Sequence, residues 1–273
     1  MENILESYGF TESDFRRVRA LIRELAGIAL GDVKREMVYN RLSRRLRALK
    51  IESFHEYLDV IGSDECERVA FVNALTTNLT AFFREPTHFV MLDAFLRKAK
   101  RPMRIWCSAA STGEEPYSIV MTACESLRTL EPPCNVLATD INTEVLAQGE
   151  AGVYALDRCK DLTQERLHAF FLRGSGPNEG FVRVRPEVRS LVVFRETNLR
   201  SNAWPLNGDL DVIFCRNVLI YFDKPTQRDV IGRMVGLLRP GGLLFTGHSE
   251  LISGFNESLK PVGRTTYERT STA

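Results

Sequence analysis

Several features are missing from this 273-residue sequence, and each absence narrows the classes of protein to consider. No apolar run approaches the roughly 18 residues of a membrane-spanning helix, and the first residues lack the pattern of a signal peptide. None of the six cysteines lies in a Cys-x-x-Cys motif, and the histidines at positions 55, 88, 168 and 248 lack metal-ligand spacing. We therefore expect a reduced, cytoplasmic protein without a metal site.

A strong net charge is missing as well. The sequence has 36 Lys and Arg against 35 Asp and Glu, a formal charge of +1, so no overall field favours nucleic acid or a membrane surface. Hydrophobic residues make up 44% and charged residues 26%, as in ordinary globular proteins. Any recognition of a charged partner must therefore depend on a local patch.

The first part of the chain has helical patterns. "TESDFRRVRALIRELAG" begins with Thr11 as N-cap and Asp14 three residues later, and it ends at Gly27. The next predicted helix, residues 32–50, has an apolar stripe of Val38, Leu42, Leu46 and Leu49. Two more helical segments follow, so we predict an all-helical domain over residues 1–76.

From residue 103 onward, apolar strands alternate with amphipathic helices, as in "MRIWCSAA", "EEPYSIVMTACESLR", "CNVLATDI" and "TEVLAQGEA". This alternation predicts an α/β domain over residues 77–273, with a mainly parallel sheet covered on both faces. Glycine-rich turns around "FVRVR" predict an antiparallel β-subdomain inserted at about 155–195. The tail "LKPVGRTTYERT" predicts a closing antiparallel strand.

The stretch "IWCSAASTGEEPYS", residues 105–118, predicts a ligand-binding turn at the carboxyl end of the first strand. Small side chains there let a ligand approach the backbone. The glycine-rich motif of dinucleotide-binding turns is absent, since Gly113 is the only glycine in this stretch. Glu114 and Glu115 lie at the start of the following helix, where negative charge would disfavour a bound phosphate. The turn therefore favours a ligand with a cationic or amino group.

Asp140 ends the next strand in "ATDI", where an acid can bind both hydroxyls of a ribose. A ribose combined with a cationic, phosphate-free ligand indicates S-adenosylmethionine. Another interpretation of Asp140, followed by Asn142 and Thr143, is that it caps the next helix.

Four segments, "TTNLTAFFRE", "SAASTGEEPYS", "FCRNVLIYFDK" and "LLFTGHSE", resemble the hallmark motifs of the chemotaxis receptor methyltransferases, the CheR family. The resemblance covers essentially the whole chain. It implies a Rossmann-like S-adenosylmethionine methyltransferase sheet with an inserted antiparallel β-subdomain and an all-helical N-terminal domain. The implied reaction transfers a methyl group from S-adenosylmethionine to glutamate side chains of chemoreceptors, giving methyl esters and S-adenosylhomocysteine.

The resemblance also implies roles for individual residues. Arg84 lies near the methyl-transfer site, and Tyr221 matches the active-site tyrosine. Glu115 matches the acid that binds the methionine amino group, with Glu114 left open, and Asp140 matches the ribose acid. The implied cofactor contacts are Asn78, Thr80, Arg84, Glu115, Asp140, Asn198, Leu199, Arg216 and Asn217.

The chemistry of the residues agrees with this reaction. A glutamate carboxylate, with a reference pKa of about 4.3, is already an ionised nucleophile at neutral pH and needs no general base. Arg84 can orient it through two parallel hydrogen bonds and Tyr221 can donate another. The alternative interpretations are an ion pair between Arg84 and Glu85, and a packed strand-end ring for Tyr221.

Two regions are candidates for binding the receptor. Residues 33–50 carry seven basic residues and one acidic residue, and helical spacing places Lys34, Arg41 and Arg45 on one face. That face is either a docking surface for an acidic receptor helix or a solvated helix face. In the β-subdomain, Gly176, Arg183 and Arg185 belong to a segment predicted to bind a receptor C-terminal peptide by strand addition, or to form a structural flap.

Three functions remain to be separated: a protein-glutamate methyltransferase, a methyltransferase of the same fold with another substrate, and a non-catalytic cofactor-binding signalling module. The missing Pro-Pro-Tyr type motif at "CRNV" disfavours nucleic-base methylation. We expect a monomer that is recruited to membrane receptor arrays without inserting into the bilayer and does not bind nucleic acid.

Overall fold

The computed structural model describes residues 8–271 of the chain. Its helices are α1 (Glu12–Ala26), α2 (Arg35–Leu49), α3 (Phe54–Ser63), α4 (Glu65–Leu75), α5 (Thr87–Leu96), α6 (Glu114–Leu127), α7 (Thr143–Ala151), α8 (Gln164–Phe170), α9 (Pro186–Arg189) and α10 (Lys224–Leu237). Its strands are β1 (Met103–Cys107), β2 (Cys134–Asp140), β3 (Val153–Ala155), β4 (Phe171–Arg173), β5 (Phe181–Val184), β6 (Val192–Glu196), β7 (Leu210–Cys215), β8 (Leu238–Thr246), β9 (Leu259–Gly263) and β10 (Thr266–Arg269). The helical beginning and the later alternation agree with the sequence patterns, whereas α5 was not predicted.

Helices α1 to α4 form a bundle around its own apolar core. The capping box predicted for α1 is confirmed, since the Thr11 side chain accepts from the Asp14 amide and Gly27 ends the helix with φ of 74°. The predicted stripe of α2 is wrong at its last position, because Leu49 is 40% exposed. The left-handed Lys50 reverses the chain there, so Ile51 covers the end of the core instead.

The large sheet has the strand order β6-β2-β1-β7-β8-β10-β9. Its first five strands are parallel, and β10 pairs antiparallel with both β8 and β9. Every residue of β7 is buried, as expected for a strand covered on both faces. The predicted mainly parallel α/β fold is confirmed, and the tail supplies a hairpin rather than one closing strand.

The parallel arrangement decides where the site lies. Strands β1, β2 and β7 are neighbours and point the same way, so the residues after their last positions meet at one edge of the sheet. Those residues are Ser108 after β1, Ile141 after β2 and Arg216 after β7.

The inserted β-subdomain is a three-stranded antiparallel sheet in the order β3-β5-β4, with α8 preceding β4. The insertion ends earlier than predicted, because β6 pairs in parallel with β2 and belongs to the large sheet. Strand addition along "FVRVR" would need an unpaired strand edge, and β5 has none because it is the central strand. Arg183 lies opposite Val153 of β3 on one side and Leu172 of β4 on the other, so both edges of β5 are occupied.

Among the described residues, no helix combines the length and apolar character that crossing a bilayer requires.

Candidate functional site

A cavity of about 340 Å³ opens at the carboxyl edge of the large sheet. Its walls come from the turns after β1, β2 and β7, the linker between α4 and α5, and the loop that joins α1 to α2. All the predicted cofactor and catalytic residues line it: Asn78, Thr80, Arg84, Glu115, Asp140, Asn198, Leu199, Arg216, Asn217 and Tyr221. Residues spread over 144 positions of the sequence therefore meet at one place.

The turn after β1 brings backbone close to this cavity. Ser108, Ala109 and Ser111 line it with small side chains, and Ser111 adopts a left-handed φ of 48°. Such a conformation in a residue other than glycine costs on the order of 1 kcal/mol and is retained where the surroundings enforce it. Here the Ser111 hydroxyl donates to the carbonyl of Asn78 and its amide donates to the Asp140 carboxylate.

Asp140 is held by backbone amides at the cavity wall. Its two oxygens accept from the amides of Ser111 at 2.8 Å and Asn142 at 3.0 Å, which fixes the carboxylate orientation. Burial raises the pKa of Asp140, and these amide bonds oppose that rise. Asn142, not Asp140, caps α7, because its side chain accepts from the amides of Glu144 and Val145. The capping interpretation of Asp140 is therefore wrong.

The two glutamates at the start of α6 face different surroundings. Glu115 lines the cavity and pairs with Arg216 at 2.6 Å, and it also accepts from the Cys107 thiol. Glu114 is fully buried elsewhere, where it accepts from Thr112 and pairs with Arg158. Burial raises the pKa of Glu115, although the Arg216 guanidinium opposes the rise.

Arg216 connects three segments of the site and is only 3% exposed. Its guanidinium contacts Glu115 at 2.6 Å, Glu85 at 3.0 Å and the carbonyl of Arg84 at 2.6 Å. A buried guanidinium with two carboxylates is electrostatically compensated, and losing either partner leaves charge unpaired in a dry environment. Arg216 therefore fixes the linker containing Arg84 against the start of α6.

Asn217 follows in a left-handed conformation with φ of 58°. Its amide donates to Glu250 at 2.7 Å, and the same carboxylate accepts from the amides of Gly247 and Ile220. The sequence analysis included the segment "LLFTGHSE" but did not predict that Glu250 accepts hydrogen bonds from these backbone amides. A buried acid three residues after a strand-end glycine was the available signal, because such a carboxylate satisfies exposed amides.

Arg84 and Tyr221 both reach the cavity. Arg84 donates to the carbonyl of Leu79 at 2.9 Å, and Glu85 pairs with Arg216 rather than with Arg84. The predicted alternative of an Arg84–Glu85 ion pair is therefore not found. The Tyr221 ring packs partly against the helical core, and its carbonyl accepts from the Ala29 amide at 2.8 Å.

The helical bundle contributes a wall that sequence reasoning did not anticipate. Residues 28–31 line the cavity, together with Ala26 and Met37. Asn198 donates to the carbonyl of Leu25 at 2.7 Å, and Arg23 pairs with Asp223 at 2.6 Å. Arg200 also donates to the carbonyls of Arg23 and Glu24, so several contacts tie α1 to the α/β region.

The three basic residues predicted for docking lie in different environments. Lys34 is exposed at the cavity rim, outside α2 itself. Arg41 donates to the carbonyl of Thr76 at 2.6 Å, and Arg45 makes two hydrogen bonds to Glu67, which raises the pKa of Arg45. Two of these guanidiniums thus have partners within the chain.

Other cations of α2 face solvent more fully. They are Arg44, Arg47 and Lys50.

The β-subdomain residues predicted for receptor binding do not line the cavity. Gly176 lies in a turn with φ of 57°, a left-handed conformation that glycine adopts more easily than residues with a side chain. Arg183 is exposed, and Arg185 donates to the carbonyl of His168.

Comparison with known proteins gives a consistent result. The family model described as "CheR methyltransferase, SAM binding domain" matches residues 78–268, and "CheR methyltransferase, all-alpha domain" matches residues 13–76. Chemotaxis protein methyltransferase 2 of Pseudomonas aeruginosa is 49% identical over 265 residues, covering 96% of this chain and 95% of that protein. The chemotaxis protein methyltransferase of Escherichia coli is 47% identical and covers 96% and 92%. That of Klebsiella aerogenes is 50% identical and covers 94% and 89%.

Proposed function

Since the chain belongs to the CheR methyltransferase family, we propose that it methylates glutamate side chains of chemoreceptors, with S-adenosylmethionine as methyl donor. The protein is a methyltransferase of bacterial chemotaxis type. The observation that carries the proposal is the cavity at the sheet edge, which combines an acid after the β1 turn with an acid at the end of β2.

The residues present fit this cofactor. Asp140, oriented by two backbone amides, binds the ribose hydroxyls, and Glu115 binds the methionine amino group. The absence of a glycine-rich turn and the two carboxylates at the start of α6 disfavour a phosphate ligand instead. Asn198, Leu199 and Asn217 flank the adenosine.

The linker contributes Asn78, Thr80 and Arg84 to the cavity wall. Asn78 and Thr80 are proposed to contact the cofactor, and Arg84 is proposed to lie near the methyl-transfer site. S-adenosylmethionine supplies an electrophilic methyl group on a sulfonium.

The protein's part in the reaction is placement. A receptor glutamate arrives ionised, so no side chain has to remove a proton. Arg84 retains free guanidinium donors beside its bond to Leu79 and can hold the carboxylate, while the Tyr221 hydroxyl donates one more hydrogen bond. These hydrogen bonds to the receptor carboxylate must not be too strong. Methyl transfer removes its negative charge, so strong binding of the charged carboxylate would stabilise the ground state more than the transition state.

Transfer of labelled methyl groups tests this function directly. Purified enzyme, labelled S-adenosylmethionine and receptor-rich membranes should give membrane-bound label that base releases as methanol, because glutamate methyl esters are base-labile. Membranes from cells without receptors are the matched control. Base-stable label, or equal label in both membranes, would contradict glutamate methylation of receptors.

Receptor docking is proposed to use the exposed basic surface of α2, namely Arg44, Arg47 and Lys50, together with Lys34 at the cavity rim. A contribution from Arg41 and Arg45 stays a prediction. Reversing either of these two also breaks internal contacts, and Arg45→Glu would place a carboxylate against Glu67.

Reversal of Arg44 and Arg47 to Glu should raise the receptor KM by about two- to tenfold and flatten its salt dependence, because each exposed pair contributes up to about 1 kcal/mol. Affinity for S-adenosylhomocysteine should not change. The matched control reverses Lys98 and Lys100, two exposed cations at the end of α5 with the same change in net charge. Equal KM values for the two double variants would leave α2 as a solvated face.

A receptor C-terminal peptide is proposed as a second contact, on the β-subdomain. Since β5 is central, strand addition must use an outer strand, and β4 presents Leu172, which is 43% exposed. Exposed Phe181 and Arg183 of β5 lie on the same small sheet and suit a peptide with an aromatic residue and an acidic end. Such a tether would raise the local enzyme concentration around receptors for a monomeric enzyme.

A further inference from the structure

Three side chains converge behind the cavity wall, and the methyl-transfer reaction assigns none of them a role. They are Glu85 from the linker, His88 from α5 and His248 after β8. Their facing atoms, Glu85 Oε2, His88 Nδ1 and His248 Nε2, all lie within 4.8 Å of one another. Glu85 Oε2 is 3.5 Å from His88 Nδ1 and 3.8 Å from His248 Nε2.

All three facing atoms are buried: His88 Nδ1 and His248 Nε2 lack a hydrogen-bond partner, and Glu85 Oε2 has the ion pair with Arg216 at 3.0 Å. A buried polar atom without a partner destabilises the folded state by about 1–3 kcal/mol, so native proteins rarely leave one unsatisfied. Two unsatisfied ring nitrogens that face the same carboxylate oxygen indicate an occupant that all three atoms can bind.

The arrangement around His88 prepares its ring to bind a cation. Its Nε2 lies 3.2 Å from the carbonyl of Arg264 and 3.1 Å from the Thr265 hydroxyl, and both oxygens can accept a hydrogen bond. A proton on Nε2 satisfies both contacts and leaves a lone pair on Nδ1. A histidine whose other nitrogen donates to a carbonyl is the usual form of a metal ligand.

Glu85 is also oriented and charged. Its Oε1 accepts from the His248 amide at 3.2 Å, which directs Oε2 toward the two rings. The Arg216 guanidinium lies 3.0 Å from Oε2 and compensates its negative charge.

We propose that Glu85, His88 and His248 form a binding site for a zinc-class divalent ion, with a water molecule as the remaining ligand. Two imidazoles and one carboxylate are a donor set that zinc accepts. Metal–ligand bonds of about 2.0–2.1 Å place tetrahedral ligand atoms about 3.3 Å apart. The 3.5 and 3.8 Å separations from Glu85 are close to this value, and the two ring nitrogens, which lie within 4.8 Å of each other, must move together on binding. Spacing along the sequence gives no indication of this group, because His88 and His248 are distant in sequence.

Occupancy of this site opposes cofactor binding. The Arg216 guanidinium is 3.0 Å from the Glu85 oxygen that the metal takes, and a dication repels it. The same guanidinium holds Glu115 at the cavity, so moving it disturbs the acid assigned to the cofactor amino group. By linkage, S-adenosylhomocysteine weakens zinc binding by the same factor.

Zinc titration in competition with a chromophoric chelator tests the site. The parent protein for this test carries Cys66→Ser, since Cys66 is the exposed thiol among the six cysteines. We expect one zinc per chain, at least tenfold weaker binding for His248→Ala and for Glu85→Gln, and unchanged binding for His55→Ala. His55 is the matched control because it lies beside Asp59 on the exposed surface of α3.

X-ray absorption of the zinc-loaded parent provides a readout that needs no variant in the site. Two imidazoles and oxygen ligands are expected. Sulfur ligation, absent zinc binding, or equal affinity for folded His248→Ala would overturn the site.

The coupling between zinc binding and cofactor binding can be measured separately. Saturating zinc should weaken S-adenosylhomocysteine binding by roughly fivefold or more in the parent and not in His248→Ala, as calorimetry can establish. Unchanged affinity in the zinc-loaded parent would overturn the coupling to the cofactor. Because zinc binding is read out without receptor or methyl transfer, these results are independent of the proposed activity.

Discussion

Tyr221→Phe should slow methyl transfer by about 10- to 100-fold, whereas affinity for S-adenosylhomocysteine should stay within about twofold. The hydroxyl is proposed to contact the receptor carboxylate, and a hydrogen bond to a charged group contributes about 1.5–3 kcal/mol. Phenylalanine keeps the ring against the helical core, and the contact with the Ala29 amide uses the backbone carbonyl. Single-turnover methylation at saturating cofactor measures the rate.

Arg84→Ala should reduce the same rate at least as strongly, because it removes a charged partner of the carboxylate. Its effect on cofactor affinity is expected to be larger than that of Tyr221→Phe, since the guanidinium also holds the linker through Leu79. Tyr267→Phe is the control, because it removes a buried hydroxyl that accepts from Ile252 away from the cavity. A rate loss explained entirely by weaker cofactor binding would remove both residues from the catalytic assignment.

The sheet-edge part of the site was predictable from sequence because parallel strands impose it. Once β1, β2 and β7 are recognised as buried parallel strands, Glu115, Asp140 and Arg216 must lie near one edge whatever the details of the loops. Local chemistry then distinguishes an acid-lined turn from a phosphate-binding one.

Pairing between distant segments was not predictable in the same way. The alternating pattern of "FVRVR" identifies a strand but does not say whether one or both of its edges are paired. The answer depends on whether a distant segment, here β3, pairs with it. Likewise, helical spacing places Arg41 and Arg45 on one face, but it does not reveal that Thr76 and Glu67 meet that face.

Four of the eight described non-glycine residues with positive φ lie in or beside the cavity lining. Phe83, Glu85, Ser111 and Asn217 all have positive φ without being glycine. Side-chain contacts fix three of them: the Asp140 carboxylate holds Ser111, Glu250 holds Asn217, and Arg216 holds Glu85. The buried charges therefore maintain a backbone shape that the local sequence alone does not favour.

Substitution of the two adjacent glutamates of α6 should have very different effects on cofactor affinity. Glu115→Gln should weaken S-adenosylhomocysteine by roughly 10- to 100-fold, because a charged hydrogen bond to the amino group contributes about 1.5–3 kcal/mol. Its affinity for 5′-methylthioadenosine, which lacks the amino-acid portion, should remain unchanged. Asp140→Ala should weaken both ligands, since each carries the ribose. Calorimetry with both ligands measures the four affinities.

Glu114→Gln is the matched control for this comparison. It makes the same chemical change one residue earlier, at a side chain that is equally buried but pairs with Arg158 outside the cavity. It should destabilise the fold, as thermal unfolding can report, yet leave both ligand affinities unchanged. If Glu115→Gln weakened binding of both ligands equally, the carboxylate would act through Arg216 on the shape of the whole cavity rather than by binding the amino group. A loss of S-adenosylhomocysteine affinity in Glu114→Gln as large as that in Glu115→Gln would instead show that burial of charge at the start of α6, and not contact with the ligand, determines affinity.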